Sequence, residues 1–344
     1  MKPLFRTHDA ASRTKYQDVS QLARAQSRVL PGTPGTLKQR TQSGKKYWVR
    51  EHIRIDGAKV DDYVGPVVST EPARMAQLRS EVELAQSLAA ASATLRLLGY
   101  QRIDRKPAAV LAVFFNHGLF QAGLTLVGSH AYGALLNELG VTAPGYRTQD
   151  LDLARAQPLA VALPSDSGFE ALLAESGLRF VPVPGMPANK PSASFKLPGA
   201  EQLMVDLLVP GKDLGKVVQV RELGAHAQEI PLLEFLLEEP LDGTVLSPNQ
   251  VVPVRLPSPE RFALHKLFSS ESRRSAAGKV GKDREQAAVL AAALEQEMPG
   301  RLRAAWKDFP RGGRSAVARA ARAAAKLLAG IHPEGEAALK AVAG

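Results

Sequence analysis

Residues 123–154 constrain this chain more than any other stretch. They read as a short apolar strand, a Gly128-Ser129 turn that opens a helix, a loop, and a second strand that carries Asp150 and Asp152. Alternate residues of a strand face the same side, so the two carboxylates project together and the intervening leucines face the core. Adjacent carboxylates repel each other unless a cation lies between them. The pattern therefore predicts a site for Mg²⁺ or Mn²⁺, which take oxygen ligands.

Two further features belong to the same predicted site. The turn at Gly128 and Ser129 places free backbone N–H groups and a hydroxyl at a helix N-terminus, which is a natural seat for a phosphate. A later apolar strand, residues 202–209, carries Asp206 in its middle. We expect the three aspartates to converge within metal-bridging reach, with Ser129 facing them across a cleft.

The order of these motifs resembles the nucleotidyltransferase fold of the polymerase-beta superfamily. The segments GSHAYG, TQDLDLA, LMVDLLVP and PERFALHKL also resemble the GSU2403-type nucleotidyltransferase family, over roughly residues 100–300. The spacing from Ser129 to Asp150 is longer than is usual in this superfamily. We interpret the surplus, around residues 141–147, as a loop insertion, because it contains Pro144 and Gly145.

The resemblance implies a metal-dependent transfer of a nucleoside monophosphate from an NTP to an acceptor hydroxyl, with release of pyrophosphate. The catalytic residues and metal ligands would be Asp150, Asp152 and Asp206. Gly128 and Ser129 would hold the β- and γ-phosphates. Lys266 lies among apolar residues, where a lysine usually extends its ammonium group to water. The resemblance implies instead that the Lys266 side chain points toward the triphosphate. The residues that neutralise pyrophosphate would be Lys266 together with Arg273 or Lys282.

The predicted fold is α+β, with a polymerase-beta-like mixed sheet as its core. Residues 1–66 would form a basic helix, around residues 17–29, and a three-stranded antiparallel β arm. The arm is indicated by two strand-like runs joined at Asp56-Gly57, a strong hairpin signal. A connecting helix would occupy residues 67–100, the catalytic domain residues 101–255, and a C-terminal helical domain residues 256–344.

Charge is spread unevenly along the chain. The net charge of +10 divides into +7 for residues 1–66, −4 for residues 67–255 and +7 for residues 256–344. An acidic centre between two basic flanks is typical of a metal site whose ends bind a polyanion. Charge of this kind supports binding to nucleic acid but gives no sequence specificity.

Two sets of basic residues are candidates for nucleic-acid binding. The arm supplies Lys45, Lys46, Trp48 and Arg50, and basic residues beside aromatic rings can follow a phosphate backbone and stack bases. The last long helix supplies Arg319, Arg322 and Lys326, whose spacing puts them on one face. Two alternatives stay open, namely that Trp48 is the core of a small sheet and that the basic stripe is a solvated helix face.

An RNA acceptor is the favoured interpretation, and the resemblance extends it to a tRNA 3′ end and to toxins that have an antitoxin partner. Transfer to a protein or small molecule is an alternative, and so is a catalytically silent nucleic-acid- or partner-binding module. The chain has no cysteine, which excludes thiol chemistry and disulfides. Its apolar runs are too short to cross a membrane, and its first residues lack the apolar core of a signal peptide, so we expect a cytoplasmic protein.

Overall fold

The structure is a computed structural model that describes residues 2–144, 148–160, 168–185, 191–199, 203–272 and 277–344. Its α-helices are α1 (Ala10–Arg24), α2 (Pro72–Leu97), α3 (Arg105–Asn116), α4 (Gly128–Glu138), α5 (Phe169–Glu175), α6 (Leu233–Leu237), α7 (Pro259–Ser272), α8 (Ala277–Glu297), α9 (Arg301–Asp308), α10 (Arg314–Leu328) and α11 (Pro333–Ala343). Its strands are β1 (Arg6–Thr7), β2 (Thr36–Gln42), β3 (Lys45–Ile53), β4 (Lys59–Pro66), β5 (Thr125–Val127), β6 (Val141–Thr142), β7 (Asp150–Ala154), β8 (Val181–Pro182), β9 (Ser194–Lys196), β10 (Met204–Pro210), β11 (Val217–Val220), β12 (Ala225–Ile230), β13 (Leu241–Leu246) and β14 (Val251–Leu256).

A mixed sheet forms the centre of the molecule. Its strands follow the order β11-β12-β10-β7-β5, with β9 and then β8 beside the first half of β10. Strand β10 is parallel to β7 and β12, whereas β5 is antiparallel to β7. Leu151, Leu153, Val205 and Leu207 are fully buried in the main core. Because side chains alternate along a strand, the positions between these buried residues, which include Asp152 and Asp206, point to the opposite face of the sheet.

The first helix begins earlier than the sequence predicts. The Asp9 side chain caps α1 by accepting a hydrogen bond of 2.9 Å from the Ser12 N–H, and the helix ends at Arg24. The predicted bounds of residues 17–29 are therefore wrong. The helix buries Tyr16 and Val19 in a cluster with residues of α2, β13 and β14.

Part of the predicted loop insertion is a strand. Strand β6 pairs with β1, with Thr142 opposite Arg6, so the interpretation of residues 141–147 as a loop is wrong for its first two residues. Strand β1, near the N-terminus of the chain, pairs with the backbone of Val141 and Thr142. Residues 145–147 lie outside the described residues.

The predicted three-stranded arm is confirmed as the antiparallel sheet β2-β3-β4. One face packs Val64 and Trp48 against helix α2, where Met75, Leu78 and Val82 complete a small core. On strand β3, Glu51 forms ion pairs with basic residues of both neighbouring strands, β2 and β4. These are Lys38, Arg40 and Lys59. Hydrogen bonds from Lys38 and Lys59 hold the pKa of Glu51 at about 2.

The C-terminal part is helical, and the mixed α+β class is confirmed. From Pro259 onward every described element is an α-helix or a short 3₁₀ helix. Helix α8 packs against α7, α10 and α11, and its buried alanines and leucines join the main core. Among the described helices, none combines the length and apolar character that crossing a membrane requires.

Two asparagines, Asn137 and Asn116, fasten neighbouring segments to the core helices through their side-chain amides. Asn137, only 1% exposed, accepts a hydrogen bond from the Gln101 N–H at 2.8 Å and donates one to the Gln101 carbonyl at 2.9 Å. Asn116 makes the same pair of contacts with the backbone of Val29. Each side chain satisfies the backbone groups that a β-strand partner would otherwise pair.

We expect Asn137→Ala to lower the free energy of unfolding by about 1–3 kcal/mol, because it leaves the Gln101 N–H and C=O without partners. Urea denaturation followed by circular dichroism measures the change. Gln219→Ala, on the exposed side of β11, is the control and should leave the midpoint unchanged. Equal midpoints for the two variants would contradict the role given to Asn137.

Candidate active site

Three aspartates share one face of the central sheet. The register of β7 and β10 sets Asp152 beside Asp206 and Asp150 beside Met204. Side chains at paired positions of adjacent strands point to the same face, and all three carboxyl groups line one cavity of about 270 Å³. The structure thus brings the predicted aspartates together at the face that the buried leucines leave open.

Gly128 forms the corner between strand β5 and helix α4. Strand β5 sets Val127 beside Asp152, and the chain then turns at Gly128 with a φ of +69°. A Cβ at this position would overlap the Asp152 carboxyl group. Glycine is therefore required for the backbone conformation and for the close approach of Asp152.

Ser129 lines the same cavity in the first turn of α4. The first N–H groups of a helix have no intrahelical partners and attract anions. The predicted phosphate seat at Gly128 and Ser129 therefore lies directly beside the predicted metal ligands.

Asp206 is destabilised as an anion in this arrangement. Burial raises its pKa, and the Asp150 carboxylate raises it further, against the opposing effects of a hydrogen bond to Ser194 and of Lys279. A carboxylate whose pKa is raised by burial and by a like charge is stabilised by a cation placed nearby. The pocket thus favours a positive ligand on its sheet side.

Helices α7 and α8 supply the opposite wall, which is basic. Lys266, Lys279 and Lys282 all line the cavity. Burial lowers the pKa of Lys282, and the Lys266 ammonium group lowers it further, while Asp283 and the aspartates of β7 oppose the shift. An acidic sheet face opposite a row of ammonium groups suits a ligand that carries a bound cation and a polyphosphate together.

Lys266 does not snorkel to water. It is 9% exposed, its Nζ donates to Asp283 Oδ1 at 2.8 Å, and it lies 5.3 Å from the centre of the Phe262 ring. Asp283 is itself 1% exposed. The pair is therefore a buried ion pair at the edge of the cavity, and it fixes the direction of the Lys266 side chain.

Asp283 is absent from the residues predicted from sequence. It follows Lys282 in a basic segment, where an acidic residue reads as a local counter-charge. Its contact with Lys266 arises because α7 and α8 pack against each other, and no spacing along the chain reveals such a contact. The apolar neighbours of Lys266 were the one available signal, since a buried lysine needs an anionic partner.

His130 lies next to the predicted phosphate site. His130 is buried next to Ser129, and its Nε2 has no hydrogen-bond partner among the described residues. Burial and the nearby Lys282 lower the pKa of His130 to about 4, so its imidazole is neutral at pH 7. Arg273 lies outside the described residues.

The chemistry of the carboxylates fits a divalent metal ion. Three aspartate side chains offer the hard oxygen ligands of Mg²⁺ and Mn²⁺, and the raised pKa of Asp206 marks a place where a cation is stabilising. Within the part of the chain that the structure describes, no group of three or more His, Asp or Glu side chains already stands in a metal-holding arrangement.

The arm residues predicted to bind nucleic acid have different surroundings. Lys45 and Lys46 are exposed at the start of β3. Trp48 is half-buried against α2, with the Arg79 guanidinium 5.7 Å from its ring. Arg50 is 3% exposed and donates to Asp62 at 2.8 Å. Trp48 and Arg50 therefore help to hold the arm together.

The predicted basic stripe on α10 is also partly engaged within the chain. Arg319 donates to Glu271 at 3.0 Å, and Arg322 donates to the Ala343 carbonyl at 3.0 Å. Both contacts tie α10 to neighbouring helices. Lys326 is exposed.

Comparison with known proteins identifies the family. A nucleotidyltransferase family model matches residues 105–310, more than half of the chain and the whole of the cavity's aspartate and lysine set. This chain belongs to the nucleotidyltransferase family. It is therefore an enzyme of the nucleotidyl-transfer class, which disfavours the silent-module alternative. The finer resemblance to the GSU2403-type family stays a prediction.

No curated protein matches this nucleotidyltransferase. A solved structure of an antigenic nucleotidyltransferase-like protein from Paracoccidioides brasiliensis is 16% identical, and the alignment covers 63% of this chain and 93% of that one, with a TM-score of 0.31. A TM-score this low supports no argument about the fold, so the family assignment rests on the sequence match.

We expect Gly128→Ala to reduce nucleotidyl transfer strongly, because the new Cβ displaces the Asp152 carboxyl group. The left-handed backbone conformation adds a stability cost of about 1–2 kcal/mol. Turnover of NTP and thermal unfolding measure the two effects. Gly133→Ala is the matched control, since it lies on the same helix, where its Cβ meets only ordinary contacts. Equal turnover for the two variants would contradict the close packing described at Gly128.

We expect Asp283→Ala to destabilise the protein by about 3–5 kcal/mol, because it leaves the buried Lys266 without a counter-charge. The double variant Lys266→Met/Asp283→Leu should recover much of that stability, because it removes both buried charges. It should bind NTP more weakly than the parent, because it lacks the Lys266 ammonium group. Denaturation and NTP titration provide the two readouts, with Asp308→Asn on the exposed side of α9 as the control. A double variant that binds NTP like the parent would exclude Lys266 from the nucleotide site.

Proposed function

We propose that this nucleotidyltransferase moves a nucleoside monophosphate from an NTP to an acceptor hydroxyl in a reaction that depends on Mg²⁺ or Mn²⁺. One observation carries the proposal, namely that Asp150, Asp152 and Asp206 line the same cavity as Lys266 and Lys282. The two groups of opposite charge match the two parts of a metal-bound triphosphate.

The side chains divide the task between them. Gly128 and Ser129 hold the terminal phosphates through backbone N–H groups and the hydroxyl. Lys266, fixed by Asp283, and Lys282 neutralise the charge that builds up on the leaving pyrophosphate. Divalent metal ions held by the aspartates would stabilise the attacking and leaving oxygens of an in-line displacement.

Asp206 orients the acceptor hydroxyl in this proposal. It lies beside Asp152 on the neighbouring strand, and β9, through Ser194, fixes its carboxyl group. The bond between the acceptor oxygen and the α-phosphorus forms as the bond from the α-phosphorus to the pyrophosphate oxygen breaks, and the Asp206 carboxylate accepts the proton of the acceptor hydroxyl. Positioning of this kind supplies a large part of the rate enhancement in phosphoryl-group transfer.

We further propose that the acceptor is RNA. The two basic flanks of +7 each, on either side of an acidic centre of −4, support a polyanionic acceptor. Several of the flanking basic residues pair with acidic neighbours such as Glu51 and Glu271. Lys45, Lys46 and Lys326 are exposed and form no ion pair with a described residue, which leaves them for contacts with phosphate.

We expect the protein to transfer label to RNA from α-³²P-labelled NTP and not from γ-³²P-labelled NTP, in the presence of Mg²⁺ and total cell RNA. Asp150→Asn should abolish the transfer, because it removes one of the three carboxylates. Asp213→Asn, exposed on the loop after β10, is the control and should label like the parent. Label that resists ribonuclease and is lost on protease treatment would replace the RNA acceptor with a protein. Equal labelling by the Asp150 and Asp213 variants would overturn the catalytic assignment.

A further inference from the structure

The cavity of the active site continues past the aspartates into a part whose described lining carries no Asp, Glu, Lys or Arg side chain. We call this part the apolar end, and six residues define it, namely Leu208, Gln228, Ile230, Leu233, Leu236 and His265. The roles proposed for the aspartates, the lysines and the phosphate seat leave the apolar end without a function. The acceptor, in turn, has no surface assigned to it beyond Asp206.

The apolar end lies on the far side of Asp206 from the phosphate seat. The sheet runs in the order β12-β10-β7-β5, and β5 leads directly into the phosphate seat. Asp206 and Leu208 are two residues apart on β10 and therefore share a face. The register sets Gln228 beside Leu208, and Ile230 follows two residues further along β12. Across the sheet, the phosphate seat, the aspartates and the apolar end thus come in that order.

The geometry of the proposed reaction assigns this side of the cavity to the acceptor. In an in-line displacement, the attacking and leaving oxygens lie on opposite sides of the phosphorus. Pyrophosphate leaves on the side of Gly128 and Ser129, so the acceptor hydroxyl approaches from the side of Asp206. The group that carries this hydroxyl therefore has to fit the apolar end.

Aliphatic side chains form most of the apolar end. Leu208 and Ile230 pack against the main core but are only partly buried, so part of each side chain faces the cavity. Leu233 and Leu236, from helix α6, are buried beside them. Such a surface favours the flat, apolar face of a ring. It offers no counter-charge to a charged group, which would be costly to bury there.

Gln228 supplies the open polar group of the apolar end. Its side chain is half-buried, and its amide forms no hydrogen bond with a residue that the structure describes. His265, in contrast, is held in place, because its ring nitrogens contact the Pro231 carbonyl at 3.3 Å and the Ser269 hydroxyl at 3.4 Å. An amide offers both a donor and an acceptor. The edge of a nucleobase carries the matching pair of groups.

We propose that the apolar end is the acceptor subsite and binds the 3′-terminal nucleoside of a single-stranded RNA, with the base on Leu208 and Ile230 and its edge on Gln228. The inference rests on the proposed RNA acceptor and names the part of the RNA that enters the cavity. A nucleobase combines an apolar face with a polar edge, whereas a cationic sugar or a charged peptide side chain would lack a counter-charge there. A single strand is required because the bases of a duplex are stacked and paired.

Turnover of α-³²P-labelled NTP by the full-length protein, with Mg²⁺ and short single-stranded RNAs as acceptors, tests the proposal. The RNAs are identical except at the 3′ end, which carries one of the four nucleosides or an abasic ribose. For the parent, the KM of the abasic RNA should be about 10- to 100-fold above that of the best RNA, because it loses the burial of a ring face and a hydrogen bond.

Two matched variants separate the base contact from general effects on the sheet. Gln228→Leu should raise the KM of the best RNA about 2- to 12-fold, because it removes one hydrogen bond, and should leave the KM of the abasic RNA unchanged. Gln219→Leu, at an exposed position of the neighbouring strand β11, is the control and should match the parent with every RNA.

The proposal is overturned if the parent uses the abasic RNA as well as the best RNA, or if the two glutamine variants have equal KM values for RNA. The rise in melting temperature caused by NTP and Mg²⁺ should be equal in the parent and both variants. A smaller rise in Gln228→Leu would assign the apolar end to the base of the NTP and would also overturn the proposal. If the parent labels no RNA, the acceptor subsite and the RNA acceptor both fail, while transfer to a protein or a small molecule would leave nucleotidyl transfer standing.

Discussion

The repulsion between three carboxylates on adjacent strands is the constraint on which the rest of this structure depends. The register of β7 and β10 sets Asp152 beside Asp206, with Asp150 near enough to raise the pKa of Asp206 further. Such a cluster is costly in a half-buried place unless positive charge compensates it. Helices α7 and α8, which pack into the main core through apolar side chains, bring lysines to face the carboxylates.

Each neighbouring feature serves this charged cavity. Gly128 lets the chain turn where any side chain would collide with Asp152, and the same turn opens the helix whose N–H groups face the cavity. Asp283 keeps Lys266 from turning to solvent. The fold thus places three aspartates, the first turn of α4 and several lysines within one cavity, and these are the groups to which the proposed transfer of a nucleotidyl group assigns the metal ion and the phosphates.

The sequence was informative where a pattern is local. Strand alternation predicted that Asp150 and Asp152 share a face, and the Asp56-Gly57 turn predicted the arm, because both signals lie within a few residues. Long-range contacts were not predictable in this way. The pairing of Lys266 with Asp283, the strand formed by Val141 and Thr142, and the burial of Arg50 each depend on segments distant in the chain. The sequence left open whether Trp48 binds nucleic acid or belongs to the core of the small sheet, and the structure packs Trp48 against α2 and exposes Tyr63.

The most direct test of the central claim is the stabilisation of the protein by NTP with and without Mg²⁺, measured as melting temperature for the parent and for Asp206→Ala. If the aspartates hold the ion and the lysines hold the triphosphate, Mg²⁺ should enlarge the shift caused by NTP in the parent, following ordinary ligand linkage. The variant should lose the Mg²⁺-dependent part and keep part of the shift caused by NTP alone. An unchanged Mg²⁺-dependent shift in Asp206→Ala would place the ion elsewhere and contradict the account.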